Sequence, residues 1–335
     1  MTKVAIIGAS GYTGVELIKI LSAHPMFEIT YIGTSGGGEK LTALHPSLEG
    51  LVCFDVQKSD AKEIAKVAEL AFLALPHKAA MGFAKELLSL GLKVVDLSAD
   101  YRLELETYEQ YYCPHEDKEN LPQAVYGLPE LFRDKIKEAR LVANPGCYPT
   151  ATLLGLLPIA SFIDENFPIF VDAKSGVSGA GKKLNEITQF VHVSENMFAY
   201  NPLAHRHAPE IKEKLKIVTC KDFEVNFVPH IIPVIRGMLV SSYVKLRENI
   251  DAKEVIKEFY KNEKFVRVRE VPVDIKTTSG TNFCDIFVAQ RENTLFLSSS
   301  IDNLLRGASS QAVVNANLMC GYEENLGIPL FAYVP

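Results

Sequence analysis

Near-continuous apolar runs alternate with helix-spaced apolar positions along the first part of the chain. The runs predict buried β-strands, and they are Lys3–Ile7, Phe27–Ile32, Val52–Val56, Ala68–Leu75 and Lys93–Leu97. Between them, segments such as Val15–Leu21 place apolar residues at the spacing of one helix face. Strands that alternate with helices predict a parallel sheet covered on both faces, which is the α/β class.

Longer strands with alternating apolar and polar positions follow from about Phe170. They are Phe223–Val228, Gly237–Leu246, Cys284–Gln290 and Thr294–Asp302. We therefore predict an N-terminal Rossmann-type parallel-sheet domain over residues 1–146. A catalytic and dimerisation α+β domain with a mostly antiparallel sheet is predicted over residues 147–302. A C-terminal helix, about 303–335, is expected to pack back on the first domain.

The composition excludes several classes of protein. The chain has 335 residues, which is enough for two domains with separate cores. A net charge of −6 with mixed signs gives no basic footprint, so we expect no nucleic-acid partner. No apolar run reaches the ~20 residues that span a bilayer, and the strand-like start predicts that no signal peptide precedes the domain. Six scattered cysteines without a Cys-x-x-Cys pair indicate a reducing compartment, which predicts a cytoplasmic protein.

A glycine-rich loop follows the first strand. Gly8-Ala-Ser-Gly-Tyr-Thr-Gly14 leads directly into the first helix. Glycines let the backbone turn tightly and approach a pyrophosphate at a helix N-terminus. The spacing Gly-x-x-Gly-x-x-Gly differs from the commoner Gly-x-Gly-x-x-Gly, but a strand before and a helix after are what dinucleotide binding requires. The predicted contacts of this loop come from Gly8, Ser10, Gly11, Tyr12, Thr13 and Gly14.

The end of the second strand indicates which dinucleotide binds. An NAD-binding chain usually places an acid there for the ribose hydroxyls. Here the strand runs into Gly33-Thr-Ser-Gly-Gly-Gly38, with no acid before Glu39 and with Lys40 just beyond. The hydroxyl of Ser35, backbone N–H groups and the Lys40 ammonium suit a 2′-phosphate, which an acid would repel. We therefore predict NADP(H).

One cysteine lies where a strand ends and a helix begins. Asn-Pro-Gly stops the apolar run Arg140–Ala143, and Pro149 suits a first helical position before an apolar segment that ends at Leu157. At such a place, backbone N–H groups and the helix dipole favour a thiolate. The alternative is that Cys147 is an inert small apolar residue. Because the other five cysteines lack this setting, Cys147 is the candidate nucleophile.

A second polar segment offers a base for that thiol. Residues 201–210 place His205, Arg206 and His207 between prolines. An imidazole near neutrality can take a thiol proton and later return one, and an arginine can bind a carboxylate or phosphate through two parallel hydrogen bonds. The alternative is a solvated loop before a helix that starts near Pro209. A metal site is less favoured, because no Cys or carboxylate stands at ligand spacing beside the two histidines, and none is predicted.

Taken in order, these three segments resemble the N-acetyl-gamma-glutamyl-phosphate reductases, a family of the aspartate-semialdehyde dehydrogenase group. The resemblance covers essentially the whole chain, and the cysteine segment 141–158 is specific to this family within the group. One departure is Gly36–Lys40, where the family more often has fewer glycines. Further matching segments are 72–77, 95–102, 125–130, 172–181 and 302–319.

The resemblance implies a reductase of arginine biosynthesis. NADPH would reduce N-acetylglutamyl 5-phosphate, a small-molecule acyl phosphate, to N-acetylglutamate 5-semialdehyde with release of phosphate. Cys147 would form a thioester, which accepts hydride better than a carboxylate does. Either His205 or His207 would act as base and acid, and the sequence does not choose between them. A homo-oligomer, dimer or tetramer, is expected.

The same resemblance suggests binding residues. Arg102 is a candidate for the substrate phosphate, with the alternative that it is a surface arginine beside Glu104 and Glu106. Arg206 would hold a substrate carboxylate. Further candidates for the cofactor cleft are Leu75, Pro76, Ser175, Gly176 and Asn315.

Three other functions stay open at this stage. The nearest is the same chemistry on the longer aminoadipyl phosphate of lysine biosynthesis. The second is aspartate-semialdehyde dehydrogenase, which the Asn-Pro-Gly-Cys-Tyr-Pro-Thr motif disfavours. The third is a non-catalytic NADP-binding redox sensor that uses Cys147 as its switch, although a sensor has no need of the histidine pair.

Overall fold

The computed structural model describes residues 1–333, and the chain divides into two compact units. The first comprises Met1–Gly146 and Ala308–Pro329. The second comprises Cys147–Gly307 and the described residues from Leu330 to Tyr333. None of the helices in the described residues is both long enough and apolar enough to span a membrane.

Strands and helices alternate through the first unit. Its strands are β1 (Thr2–Ile7), β2 (Phe27–Thr34), β3 (Gln57–Lys58), β4 (Leu70–Leu73), β5 (Lys93–Asp96), β6 (Val125–Tyr126) and β7 (Leu141–Ala143). The helices among them are α1 (Tyr12–Ser22), α2 (Leu41–Leu44), α3 (Ala61–Val67), α4 (Ala79–Ser89), α5 (Leu105–Tyr111) and α6 (Pro129–Glu138). The strands form one parallel sheet in the order β3-β2-β1-β4-β5-β7-β6, which confirms the predicted Rossmann-type sheet.

The central strands are the ones that the apolar runs predicted. Leu70–Leu73 is completely buried, as expected for a strand covered on both faces. The strand predicted at Val52–Val56 is wrong. Gly38 N–H donates to Val56 O and Val56 N–H to Glu39 O, so this segment pairs with the loop after β2. The edge strand β3 begins only after it.

A mixed, mostly antiparallel sheet forms the second unit, as predicted. Its strands are β8 (Ile169–Gly176), β9 (Phe198–Ala199), β10 (Val225–Ile232), β11 (Met238–Lys245), β12 (Val266–Val268), β13 (Cys284–Arg291) and β14 (Thr294–Ile301). The helices are α7 (Cys147–Leu156), α8 (Phe190–Val193), α9 (His207–Thr219) and α10 (Ala252–Tyr260). The strand order is β12-β13-β14-β11-β8-β10-β9, in which β12–β13 and β8–β10 are the parallel pairs.

Helix α7 is apolar on all sides because it is buried on all sides. Every residue from Tyr148 to Leu156 is buried, and the helix packs on β11 and β14. Ser299 Oγ donates to Ala151 O at 2.7 Å, and Tyr260 Oη donates to Leu154 O at 2.6 Å. The helix begins at Cys147, so Pro149 lies inside the first turn rather than at the first position, where its missing N–H is equally tolerated. Because α7 is held in place by this packing, its first residue, Cys147, has a well-defined position.

The C-terminal helix is shorter than predicted. Helix α11 covers Ser309–Met319 only, belongs to the first unit, and packs on α1 and α6. Its start is delayed because the Asp302 carboxylate accepts backbone N–H groups of the next residues and holds them in a turn. It ends where Gly321 adopts φ +74°.

Candidate active site

Cys147 is the first residue of α7 and is partly exposed, whereas the rest of the helix is buried. This places its side chain at the positive end of the helix dipole, which favours a thiolate. Gly307 contacts the cysteine directly, since a Cβ on Gly307 would lie 2.7 Å from Cys147 Cβ. The thiol is therefore held on a rigid element and backed by backbone.

Both candidate histidines pack against the residue that follows the cysteine. The Tyr148 ring is edge-on to His205 at 5.9 Å and to His207 at 5.8 Å between centroids. The two imidazoles lie 4.7 Å apart, and Phe227 from β10 contacts His205 at 5.5 Å. The structure thus brings the cysteine segment and the histidine segment together.

His205 and His207 have different surroundings. The backbone N–H of His207, the first residue of α9, donates to Nδ1 of His205 at 3.2 Å. Burial, and to a smaller extent the positive charge of Arg206, lower the pKa of His205 to about 4. His205 is therefore neutral at pH 7, with Nδ1 occupied as an acceptor and a proton on Nε2.

Two tyrosines that the sequence did not single out for chemistry line the same site. Tyr200 Oη donates to Tyr148 Oη at 3.1 Å, and Tyr148 Oη donates to His230 O at 3.3 Å. Burial raises the pKa of Tyr148 well above its ordinary value, and burial raises the pKa of Tyr200 to about 12. Both phenols stay neutral and act as hydrogen-bond donors. Their only sequence signals are that Tyr148 lies inside the Asn-Pro-Gly-Cys-Tyr-Pro-Thr motif and that Tyr200 directly precedes segment 201–210.

Arg206 is exposed and occupies the N-cap position of α9. It follows a strained turn in which Asn201 and Leu203 have φ of +44° and +59°. Arg206 brings a fixed positive charge to this exposed position. Within residues 1–333, no group of three or more His, Cys, Asp or Glu side chains is arranged to hold a metal ion.

Arg102 is a buried residue of the first unit and not the surface arginine of the alternative interpretation. Only 8% of it is exposed. Its Nε donates to Asn144 O and its Nη2 to Leu97 O, both at 2.7 Å. Beside it, burial raises the pKa of Asp96 to about 7. Arg102 therefore stabilises the loop that leads to Cys147.

The glycine loop has the shape that dinucleotide binding needs. Gly8 has φ +91°, and a Cβ there would lie 2.2 Å from Ala74 O. A Cβ on Gly14 would lie 2.5 Å from Gly8 O, so both glycines are required for close packing. Gly11 is the N-cap of α1 with no side-chain cap, while Ser10 and Tyr12 are exposed and Thr13 is half-buried. The residues present fit a pyrophosphate at this helix N-terminus.

The end of β2 carries exposed hydroxyl and ammonium groups. The strand extends to Thr34, and Ser35 and Lys40 after it are exposed. Thr34 Oγ1 accepts the Gly37 N–H at 3.0 Å, which fixes the glycine turn. A Cβ on Gly37 would lie 2.2 Å from Lys58 N, so this position requires glycine.

Other predicted cofactor contacts differ in accessibility. Leu75 and Pro76 follow β4 as Gly8 follows β1, and since these strands pair, both loops lie at one sheet edge. Ser175 is 3% exposed and donates to Gly176 O. Asn315 is fully buried, and its Nδ2 donates to the backbone O of residue 127 and to the side-chain Oδ1 of residue 144. Asn315 thus has no exposed surface for a nicotinamide and instead holds the loop before Cys147.

Two family models match the chain. The semialdehyde dehydrogenase NAD binding domain matches residues 3–139, and the semialdehyde dehydrogenase dimerisation domain matches residues 147–303. The first match agrees with the glycine loop in assigning a nicotinamide dinucleotide cofactor to the chain.

Curated relatives and solved structures agree with these models. The chain is 62% identical to the N-acetyl-gamma-glutamyl-phosphate reductase of Sulfurovum sp. (strain NBC37-1) over 100% of both chains. It is 61% identical to that of Sulfurimonas denitrificans, over 99% of this chain and 98% of the relative. Aspartate semialdehyde dehydrogenase II of Vibrio cholerae shares the fold, with a TM-score of 0.73 at 17% identity over 96% of this chain and 98% of that one. Aspartate semialdehyde dehydrogenase with NADP from Candida albicans shares the fold too. Its TM-score is 0.73 at 14% identity, over 97% of this chain and 99% of that one.

Proposed function

The chain belongs to the N-acetyl-gamma-glutamyl-phosphate reductase family, and we propose that it reduces N-acetyl-L-glutamyl 5-phosphate to N-acetyl-L-glutamate 5-semialdehyde with release of phosphate, in arginine biosynthesis. The observation that supports this best is the thiol of Cys147 at a helix start, with two imidazoles packed against the next residue. Scattered cysteines without a Cys-x-x-Cys pair and a biosynthetic reaction support a cytoplasmic enzyme.

Cys147 acts as the nucleophile in this proposal. The thiolate attacks the acyl carbon, the bond from that carbon to the phosphate oxygen breaks, and phosphate leaves, so that a thioester remains. A bound reduced dinucleotide supplies the hydride for the thioester carbon. The resulting thiohemiacetal oxyanion takes a proton, and it gives that proton back to the base as the carbon–sulfur bond breaks, which releases the aldehyde and the thiolate of Cys147.

We assign the proton transfers to His207. His205 is neutral, its Nδ1 already accepts the His207 N–H, and its pKa of about 4 makes it a weak base at pH 7. His205 would therefore orient the start of α9, while His207 takes the thiol proton and returns one to the oxyanion. The neutral phenols of Tyr148 and Tyr200 keep this site free of further negative charge.

Arg206 would bind a carboxylate of the substrate, because it carries a permanent positive charge on an exposed residue between the two histidines. We propose that binding the substrate phosphate is not the only role of Arg102. Two of its N–H donors already bind backbone carbonyl groups, so it also stabilises the loop before Cys147. The high identity to named relatives disfavours aspartate-semialdehyde dehydrogenase and a non-catalytic sensor.

One coupled assay tests the function. Semialdehyde, phosphate and NADP⁺ are expected to give NADPH, which is followed by its absorbance. Side-by-side turnover of the acetylglutamyl and aminoadipyl phosphates then separates the two substrates. A chain that binds the dinucleotide but turns over neither substrate would contradict the proposed function.

NADP rather than NAD is the proposed cofactor. Support comes from the end of β2, where Ser35 and Lys40 are exposed and no acid precedes Glu39. An acid at that place would bind ribose hydroxyls and repel a 2′-phosphate.

Reversing this charge pattern is expected to change the cofactor preference. Ser35→Asp should weaken NADPH binding strongly and leave NADH binding nearly unchanged, because the new carboxylate repels the 2′-phosphate. Lys40→Ala should weaken NADPH binding by roughly fivefold, as expected for one exposed charge pair. Fluorescence titration measures the dissociation constants of NADPH and NADH for each variant. Ser10→Asp is titrated in the same way, to test the effect of a negative charge in the glycine loop Gly8–Gly14 instead of at the end of β2. Equal affinity of the unmodified protein for NADH and NADPH would refute the assignment.

A homo-oligomer is proposed through the second unit. Helices α7, α9 and α10 pack on its sheet, yet Phe170 and Tyr243 are 52% and 47% exposed although they lie on adjacent inner strands. Tyr243 stands opposite both Phe170 and Phe296, which gives one aromatic row across three strands. A half-exposed aromatic row on a sheet is typical of a face that packs on another sheet, and the dimerisation family model supports a second copy as the partner.

Placing charge in this row is expected to separate the copies. Tyr243→Glu should lower the molecular mass measured by light scattering to that of a monomer, because a buried unpaired carboxylate opposes the contact. Phe259→Glu is the matched control, since Phe259 is 43% exposed on α10. An unchanged mass for Tyr243→Glu would place the interface elsewhere.

A further inference from the structure

A buried carboxylate follows β14, and donors from three segments converge on it. Asp302 is fully buried; Arg236 Nη2 donates to its Oδ1 at 2.9 Å, and Arg236 Nε lies 2.8 Å from its Oδ2. The backbone N–H of Gly280 donates to Oδ2 at 2.7 Å. Those of Leu304 and Leu305 donate to Oδ1 at 2.9 and 3.0 Å. A carboxylate held by an arginine and three backbone donors has one fixed position.

The turn 302–307, which the Asp302 carboxylate stabilises, contacts Cys147. The Gly307 N–H donates to Asp302 O at 2.9 Å and closes the turn. A Cβ on Gly307 would lie 2.7 Å from Cys147 Cβ and 2.6 Å from Asn303 O. The backbone of Gly307 therefore contacts the cysteine with no space between them, and a shift of the turn must move the thiol.

A second anchor holds the turn from its other side. Asn303 Oδ1 accepts the Gly237 N–H at 2.7 Å, and Asn303 Nδ2 donates to Ser178 Oγ at 3.0 Å. Because Gly237 follows Arg236 directly, the ion pair and the amide contacts fix the same loop against the same turn. The turn 302–307 is thus clamped to the start of β11.

The C-terminal segment covers this ion pair. The Tyr333 ring centroid lies 5.7 Å from Arg236 Cζ, and a Cβ on Gly280 would lie 2.5 Å from Tyr333 Cδ1. The Tyr333 N–H donates to Ser279 O at 3.3 Å. Tyr333 therefore lies over two of the donors of the carboxylate, Arg236 and Gly280, where a ring face stabilises the guanidinium and limits the access of water.

We propose that the Arg236–Asp302 pair, covered by Tyr333, positions Cys147 for reaction through the turn 302–307. The inference rests on the proposed function in taking Cys147 as the nucleophile. All three are positioning residues that act through the backbone of Gly307. Their effect on rate is expected to be large, because a misplacement of about 1 Å at a reacting atom costs on the order of 10²-fold.

The test compares this ion pair with a similar one that does not contact the turn. Arg267 pairs with buried Asp285 across β12 and β13, and its Cζ lies 4.2 Å from the Phe283 ring centroid. Arg236→Lys and Asp302→Asn are the test variants, and Arg267→Lys and Asp285→Asn are their controls. Each protein is measured for its unfolding midpoint, for kcat and KM of the acyl phosphate, and for the rate at which iodoacetamide alkylates Cys147 without substrate.

The expected result is a separation of reactivity from stability. Arg236→Lys and Asp302→Asn should each lower kcat and the alkylation rate by about tenfold or more. The control variants should lose comparable thermal stability and alkylate like the unmodified protein. Variants of both pairs that lose stability alone, with unchanged thiol reactivity, would overturn the proposal.

A milder variant keeps the test decisive if Asp302→Asn does not fold. Tyr333 is 58% exposed, so Tyr333→Ala should fold, and it is expected to lower kcat and alkylation a few-fold. Tyr333→Phe keeps the ring and should have the kcat and the alkylation rate of the unmodified protein. Equal losses in Tyr333→Ala and Tyr333→Phe, or no loss in Tyr333→Ala, would refute the role of Tyr333. The alkylation rate is measured without substrate, so it tests the positioning of Cys147 independently of the proposed function. An unmodified protein that does not turn over the acyl phosphate would contradict the proposed function and would leave the alkylation test valid.

Discussion

Replacement of Cys147 by alanine is expected to abolish turnover, with kcat falling by roughly 10⁴-fold or more. The thiol stands at the start of the buried helix α7, and removing it leaves no nucleophile for the acyl carbon. Cys147→Ser should also fail, because a hydroxyl at this place is far harder to ionise than a thiol. Steady-state rates with the acyl phosphate and NADPH measure the loss.

Two controls show that the loss is chemical. NADPH binding should stay nearly intact in Cys147→Ala, since the glycine loop that is proposed to hold the dinucleotide lies in the other unit. Cys53→Ala, at an exposed cysteine, should keep full activity. Activity near that of the unmodified protein in Cys147→Ala would exclude the proposed nucleophile.

The sequence predicted the central strands well because burial on both faces leaves a continuous apolar run. Leu70–Leu73 and Lys93–Asp96 lie inside the predicted runs for that reason. The two-residue edge strands β3 and β6 give no such pattern, since each makes few ladder bonds. The helix predicted over about 303–335 covers only Ser309–Met319, because the Asp302 carboxylate holds the residues before it in a turn and the backbone turns after it at Gly321.

The candidate site was predicted in its chemistry but not in its arrangement. A helix start at a cysteine and a histidine pair are visible as local motifs, and local motifs can be found by inspection. The burial of Arg102 cannot be found by inspection of the sequence. One of the two carbonyl groups that it binds belongs to Leu97, and the other belongs to Asn144, forty-two positions away. The Tyr148–Tyr200 hydrogen bond likewise joins residues fifty-two positions apart.

The choice between the histidines is a tertiary property of the same kind. His205 and His207 are two residues apart and chemically identical, so no sequence pattern separates them. Phe227 packs against His205 from β10 and contributes to the burial that lowers its pKa. The difference between the two imidazoles thus depends on a strand that follows them in the chain.

Replacement of His207 by asparagine is expected to lower kcat by about 10²–10⁴-fold and to raise the apparent pKa of Cys147 alkylation toward the ~8.5 of a free thiol. The proposed base is lost, while the amide keeps a similar volume at the start of α9. His205→Asn should cost far less, because its Oδ1 can still accept the His207 N–H that Nδ1 accepts now. His205→Ala removes that acceptor and should lie between the two. The pH dependence of iodoacetamide alkylation and single-turnover acylation rates measure these effects. Since His205 is neutral at pH 7, the reverse order, with His205→Asn the more damaging, would mean that the buried imidazole is the base and that its low pKa is raised when substrate binds.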